Sequence, residues 1–259
     1  MNQFKLIAGP CVLESLEHSV FIASEIKPIC EGLGFDYYYK SSFDKANRTK
    51  LDHYRGFNLI EAFGLFGELK AKTGVKILTD FHDPCQVESL KNVVDVLQIP
   101  AFLCRQTDML TAAAKSGCVI NIKKGQFASA RDTKRMVEKI TETNADAEVW
   151  LTERGTTFGY DNLVVDMRNL VLMKEYAPVI FDATHSIQMG AAGGSRGANH
   201  EFIFPLARAA SAVGVDGLFL EVHQDPDNAP CDGPSMLPLN QLEKTLKTLE
   251  GINELVKRY

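Results

Sequence analysis

The chain has no C-x-x-C pair, no apolar run of membrane-spanning length, no block of like charge and no G-x-G-x-x-G turn after a strand. Each absence excludes a class. Six cysteines at positions 11, 30, 85, 104, 118 and 231 lack the spacing of a zinc ribbon or a secreted disulfide framework. Free, buried thiols are the expectation for Cys30, Cys85, Cys104 and Cys118. Apolar runs such as Leu218–Leu220 and Val179–Phe181 fall far short of the roughly 20 residues that span a bilayer. The first ten residues carry one Lys and lack the basic-then-apolar layout of a signal peptide, so a cytoplasmic location without a membrane partner is expected. A net charge of −5 argues against nucleic acid as the main partner, while phosphate ligands need only local cations.

What is present is a regular alternation. Eight short runs rich in Ile, Val, Leu and aromatics read as strands: Phe4–Ala8, Phe35–Tyr39, Val75–Leu78, Val94–Ile99, Val119–Ile122, Glu148–Leu151, Pro178–Phe181 and Gly217–Leu220. Most are continuously apolar, as strands buried on both faces of a parallel sheet are. Between them, Glu14–Gly34, Ala128–Ala145 and Asp161–Tyr176 read as helices, and Asp83-Pro84 reads as a helix start. Leu239, Leu242, Leu246, Leu249, Ile252 and Val256 form one apolar helical stripe. Strand and helix alternating eight times in 259 residues predicts a single-domain (β/α)8 barrel spanning residues 1–259. A doubly wound open sheet is the competing arrangement.

Such a barrel carries its reactive groups at the C-terminal ends of its strands. Polar or charged residues stand at every one of those ends here. Lys40, Lys45, Arg48, Lys123, Lys124 and Arg154 come from three strand ends and would gather at one mouth. Cations gathered in a concave site repel one another unless a polyanion joins them, so a ligand bearing phosphate or carboxylate is implied. A second set, Cys11, His185, Glu221 and Asp232, follows strands one, seven and eight, which are neighbours in a closed barrel. Thiolate, imidazole and carboxylates together suit a borderline divalent ion such as Zn²⁺ or Fe²⁺. His223 and His82 qualify equally on those grounds. Cys231 would compete with Asp232, although in an extended chain its side chain should point away. The polar, glycine-rich stretch 188–197 has the composition of a phosphate cradle or a lid.

The motifs Ile7-Ala-Gly-Pro-Cys11, Lys40-Ser-Ser-Phe-Asp-Lys-Ala-Asn-Arg-Thr49, Leu78-Thr-Asp-Phe-His82 and the run from Gln98 to Asp108 carry a resemblance. Asn121-Ile-Lys-Lys-Gly-Gln126, Thr152-Glu-Arg-Gly155, Phe181-Asp-Ala-Thr-His-Ser186 and Cys231-Asp-Gly-Pro234 extend it along essentially the whole chain. The sequence resembles the 3-deoxy-D-manno-octulosonate 8-phosphate synthases. That resemblance implies a (β/α)8 barrel, usually a homotetramer, that condenses phosphoenolpyruvate with D-arabinose 5-phosphate and water and releases phosphate. The product feeds the inner sugars of lipopolysaccharide. A Cys after Gly-Pro in the first strand marks the metal-dependent branch. By resemblance, then, Cys11, His185, Glu221 and Asp232 hold one divalent ion (Zn²⁺, Fe²⁺ or Mn²⁺), with His223 outside the ligand set.

The same resemblance places Lys40, Ser42, Lys45, Lys123 and Arg154 on phosphoenolpyruvate, with Gln98 beside them and Asp80 also in the substrate site. Asn47, Arg48 and Thr49 would meet the sugar phosphate, Arg48 reaching a neighbouring subunit's site, with Arg105 and Ser195 joining them. Lys45, Lys123, Asn47 and His185 are the expected catalytic residues; Lys45, His185 and metal hydroxide are alternatives for the general base. The nearest rival is the 3-deoxy-D-arabino-heptulosonate 7-phosphate synthases, which use erythrose 4-phosphate. Their second-strand motif contains Lys-Pro-Arg-Thr where this chain has Lys45-Ala-Asn-Arg-Thr49. A catalytically silent barrel that binds sugar phosphates is the rival of another class.

Overall fold

The computed structural model describes residues 3–48, 50–159, 162–189, 198 and 200–258. Eight parallel strands form the centre: β1 (Lys5–Gly9), β2 (Asp36–Lys40), β3 (Lys76–Asp80), β4 (Val96–Ile99), β5 (Val119–Lys123), β6 (Val149–Glu153), β7 (Val179–Asp182) and β8 (Gly217–His223). They pair in chain order, and β8 returns to β1 in register from Lys5↔Gly217 to Gly9↔Glu221, closing the sheet into a barrel. All eight predicted runs are strands, mostly displaced by one or two residues toward the C-terminus. Gly9 lets β1 and β2 approach closely, since a Cβ there would overlap the Lys40 carbonyl.

Among the described residues, eight α-helices cover the barrel: α1 (Leu16–Leu33), α2 (Leu59–Thr73), α3 (Val87–Leu90), α4 (Thr107–Ala114), α5 (Asp132–Thr143), α6 (Arg168–Lys174), α7 (Ile203–Val213) and α8 (Leu239–Val256). Local chemistry sets their ends. Ser15 accepts from the His18 N–H at the start of α1, and Gly34, at φ 68°, closes it in the left-handed conformation. Asp83 caps the short turn Pro84–Gln86 in a reciprocal capping box with Gln86. One predicted helix is corrected. Asn162–Val164 is a strand, pairing antiparallel with Thr156–Phe158, and α6 begins only at Arg168. There Asp166 accepts from the Arg168 N–H and offers the backbone a stop that the apolar spacing did not reveal.

The pleat decides which side chains face inward. Ile7, Tyr38, Leu78, Val96, Trp150, Ile180 and Phe219 form a buried cluster of their own that plugs the barrel. Their sequence neighbours, such as Leu6, Tyr39, Ile77, Leu97, Ile120, Leu151, Phe181 and Leu218, pack outward under the helices. Two residues beyond each inward plug residue comes another inward position. That step leads from Tyr38 to Lys40, Leu78 to Asp80, Val96 to Gln98, Ile180 to Asp182 and Phe219 to Glu221.

Two thiol expectations also change. Cys30 and Cys104 are buried, but Cys118 is half-buried and Cys85 is exposed. Cys85 falls within the solvent-facing turn Pro84–Gln86, where no apolar neighbour covers it.

Candidate active site

Above the apolar plug the barrel interior turns polar within one pleat repeat. Gln98 Nε2 donates to Asn121 Oδ1 at 2.7 Å, and Asn121 Nδ2 donates to Thr152 Oγ1 at 2.7 Å. This amide layer satisfies itself and forms a floor. On it stand buried charges from β2, β3, β5, β7 and β8. Lys40, only 3% exposed, donates to Ser42 Oγ at 2.9 Å and to the Cys11 carbonyl at 3.3 Å. It lies 3.6 Å from Glu221 Oε1 and 3.9 Å from Asp80 Oδ1. Lys45 Nζ donates to the same Ser42 hydroxyl at 2.9 Å, so one small side chain joins two cations. Lys123 Nζ sits 2.7 Å from Asp182 Oδ2 and 3.9 Å from the centre of the Phe219 ring.

Arg154 closes this group from β6. Its guanidinium donates to Gln126 Oε1 at 3.3 Å, Gln188 Oε1 at 2.9 Å and the His185 carbonyl at 3.4 Å. Its Nε is buried with no hydrogen-bond partner. A cation at the mouth of a closed barrel with an unused donor is what an anion would complete.

The charges hold one another ionised against burial. Burial raises the Glu221 carboxyl, yet His185, Lys40, Lys45 and Lys123 outweigh it and bring the group down to about 2. Burial likewise opposes ionisation of Asp182 and Asp80. His185 and Lys123 hold Asp182 far below the usual carboxylate range, and Lys40 and His82 do the same for Asp80. Burial pushes the Lys123 ammonium down despite Asp182 beside it. Lys45 moves the other way, because Cys11, Cys231, Glu221 and Asp80 overcome its desolvation.

The metal-capable side chains fall into two overlapping triplets that share Asp232. Donor atoms of Cys11, Cys231 and Asp232 lie within 4.8 Å of one another, and so do those of His185, Glu221 and Asp232. Cys11 Sγ is 3.3 Å from Asp232 Oδ2. Both carboxylate oxygens of Glu221 are buried with no hydrogen-bond partner. His185 Nδ1 faces Asp182 Oδ2 at 2.8 Å, and Asp182 Oδ1 also accepts from the Thr184 and His185 N–H groups. His185 Nδ1 also lies 3.4 Å from Lys123 Nζ, and its Nε2 lies 3.6 Å from Glu221 Oε1. A carboxylate behind the far nitrogen is the usual support of a metal-binding histidine. Sulfur, imidazole and two carboxylates fit a borderline divalent ion.

Cys231 departs from expectation by joining the first triplet. Asp232 is the one non-glycine residue at positive φ (50°) among the described residues. That left-handed turn breaks the alternation of an extended chain, so consecutive side chains both reach the site. His82 stays outside both triplets, 3.0 Å from Asp80 Oδ2.

Glu14, His18 and His223 form a third cluster, but hydrogen bonding explains it. His223 Nδ1 accepts from the Asp225 N–H at 3.0 Å, which keeps the ring proton on Nε2, where it meets Glu14 Oε1 at 3.0 Å. A ring nitrogen already bearing a proton and donating it is not a free metal ligand.

Other expected residues are placed less centrally. Lys124 is absent from the mouth: it follows the inward Lys123 by one residue and so points out of the barrel, fully buried. Asn47 is exposed. Arg48 folds against its own chain, donating to the Tyr54 carbonyl at 2.9 Å and the Pro230 carbonyl at 3.0 Å. Arg105 is exposed just before α4 and makes no polar contact with the buried group. Thr49, Ser195 and most of the glycine-rich stretch lie outside the described residues. Asp182, Gln126 and Gln188 were not singled out from the sequence as site residues. Stepping by two from Ile180 would have found Asp182; no comparable signal marks the two glutamines.

With this geometry in place, comparison with known proteins is informative. A model of the DAHP synthetase I family matches residues 1–258. A 2-dehydro-3-deoxyphosphooctonate aldolase of Campylobacter jejuni is 51% identical over 268 aligned positions, covering 99% of each chain. Proteins of the same name from Wolinella succinogenes and Syntrophotalea carbinolica are 51% and 52% identical. They cover 96% and 97% of this chain, and 99% and 91% of their own length.

Proposed function

The chain belongs to the DAHP synthetase I family, and from that premise we propose that it condenses phosphoenolpyruvate with D-arabinose 5-phosphate and water. The products are 3-deoxy-D-manno-octulosonate 8-phosphate and inorganic phosphate, an enzymatic step in the synthesis of the inner sugars of lipopolysaccharide. Relatives about half identical over nearly the whole chain are all named for this eight-carbon product, which disfavours the seven-carbon rival. The observation that carries the reading is the quartet of buried Lys40, Lys123 and Arg154 and half-buried Lys45 around one mouth, with Arg154 Nε left without a partner.

In this reading Lys123 and Arg154 take the phosphate of phosphoenolpyruvate, and Lys40, Lys45 and Ser42 take its carboxylate, with Gln98 and Asp80 bordering the site. Asn47, Arg48, Thr49, Arg105 and Ser195 are assigned to the sugar phosphate. Holding two mutually repelling anions side by side is where the site gains most, because it makes their encounter intramolecular. The enol carbon of phosphoenolpyruvate forms a bond to the sugar aldehyde carbon. Water adds to the adjacent cationic carbon, and the resulting hemiketal phosphate expels phosphate by C–O cleavage. Cations around the departing phosphate stabilise the charge it gathers. Cys11, His185, Glu221 and Asp232 would hold one divalent ion (Zn²⁺, Fe²⁺ or Mn²⁺), which supplies Lewis acidity when bound. Lys45 and His185 are the side-chain candidates for the general base that moves the proton.

A homotetramer in the cytoplasm completes the proposal. Among the described residues no helix is long and apolar enough to cross a membrane. The test is phosphate release from phosphoenolpyruvate with arabinose 5-phosphate or erythrose 4-phosphate, before and after chelation. Turnover with the five-carbon sugar, lost to chelator and restored by a divalent ion, is expected. Turnover with the four-carbon sugar alone would overturn the acceptor, and turnover indifferent to complete metal removal would overturn the role of Cys11.

A further inference from the structure

Lys124 and Glu153 adjoin Lys123 and Arg154 in sequence but face away from the barrel interior, and both are completely buried. Lys124 Nζ lies 3.4 Å from Glu153 Oε1. It also donates to the carbonyls of Gly125 (3.3 Å), Ala128 (3.2 Å) and Gly155 (3.2 Å), and to Thr156 Oγ1 (3.2 Å). Glu153 Oε1 in turn accepts from the Arg154 N–H at 3.0 Å and the Gly155 N–H at 2.6 Å. Gly155 holds φ at 90°, a conformation that glycine adopts readily. A backbone bond from the Thr157 N–H to the Gln126 carbonyl at 2.9 Å runs between the same two segments.

Every one of these bonds ends on the segment after β5 or the segment after β6. Those segments deliver Gln126 and Arg154 to the mouth, and the first directly continues the strand carrying Lys123. A buried ion pair is a poor way to gain stability, because desolvation offsets much of its attraction and apolar side chains of similar volume often do as well. What it provides here is direction. The ammonium gathers four acceptors from two segments, and the carboxylate orients the peptide on either side of the Arg154 Cα.

We propose that Lys124 and Glu153 are positioning residues, a buried clamp that ties the segment after β5 to the segment after β6. The clamp keeps the Arg154 guanidinium in register with Lys123 for one phosphate group. This rests on the reading of Lys123 and Arg154 as the phosphate-binding side of the site.

The test uses the full chain with Lys124→Met and Glu153→Gln combined, which leaves no unpaired charge inside and keeps an acceptor for both N–H groups. Thermal melting and circular dichroism report folding. Affinity for inorganic phosphate, by calorimetry, reports the clamp without requiring turnover. A folded double variant is expected to bind phosphate about tenfold more weakly or worse, since a displacement near 1 Å at such a site is costly. Its KM for phosphoenolpyruvate should rise in parallel, while its KM for the sugar phosphate stays within about twofold, a split that a general loss of stability does not produce. Unchanged phosphate affinity in the folded double variant overturns the clamp. Should that variant not fold, Thr156→Val, which removes one acceptor of the clamp and leaves both charges paired, is read the same way. A wild-type chain that binds phosphate but turns over neither sugar refutes the proposed reaction, while the phosphate comparison still decides the clamp. A wild-type chain that binds no phosphate overturns it.

Discussion

Arg154 and Asp182 show how far single atoms decide this site. Arg154 presents a planar fork whose two ends are held by Gln126 and Gln188, leaving Nε for a ligand. Arg154→Lys keeps the charge and loses the fork, so KM for phosphoenolpyruvate should rise about tenfold or more in steady-state assays with the sugar KM little changed. An unchanged KM would remove Arg154 from the ligand. Asp182 lies beside His185, with Oδ2 2.8 Å from Nδ1 and Oδ1 accepting from the His185 N–H, and so holds the orientation of the imidazole. Asp182→Asn should weaken divalent-metal affinity by about 10–100-fold in competition with a chromophoric chelator. Equal affinity would mean that the orientation of His185 does not depend on Asp182. Cys85 gives a simple check of exposure. Alkylation followed by mass spectrometry should label Cys85 first and leave Cys30, Cys104 and Cys231 unlabelled in the folded protein. A hydrogen bond to Asp83 raises the Cys85 thiol above its ordinary value. Less thiolate is therefore present at neutral pH, and labelling should accelerate as pH rises toward that raised pKa.

Among the elements, the strands are constrained more tightly than the helices. Most strands present a plug residue inward and, two positions later, a polar one, while their alternate residues remain apolar beneath the helices. Trp150 is the largest member of the plug, with its ring edge-on to Tyr38 at 5.1 Å between centroids and its Nε1 donating to Glu148. Trp150→Ala would empty the barrel under the Gln98–Asn121–Thr152 floor and should cost about 3–5 kcal/mol in urea unfolding. A loss under about 1 kcal/mol would mean that the barrel collapses around the gap. The predicted helix from 161 failed at this scale because residues 162–164 belong to a hairpin outside the barrel, where apolar spacing no longer reports on a core-facing stripe. α3 and α6, of four and seven residues, are too short for periodicity to mark them.

For the whole molecule, charge is concentrated where the fold permits it. A chain with net charge −5 gathers four cations at one mouth because the closed barrel brings β2, β5 and β6 to a common end. Several large apolar side chains remain exposed, among them Leu51, Phe127 and Phe158. If the proposed tetramer forms, light scattering should return four times 28.7 kDa, and a monomer with full activity would remove the expected contribution of Arg48 to a neighbouring site.

The eight strands, their order and the residues at their ends were legible from residue order, because buried parallel strands must be apolar and a barrel's chemistry gathers beyond them. The gathering of Lys40, Lys45 and Arg154 at one mouth was legible for that reason, while the proposed ligand set Cys11, His185, Glu221 and Asp232 rests on resemblance. Which of two adjacent lysines faces the mouth was not. Lys123 turns inward and Lys124 outward because the pleat's phase relative to the barrel axis is set by packing of the plug. Nor could Cys231 be placed, since a single left-handed residue at Asp232 reverses the direction that an extended chain would give it. Residue order specifies which groups are available. Their convergence depends on a phase and a turn that arise only when the barrel closes and the plug packs.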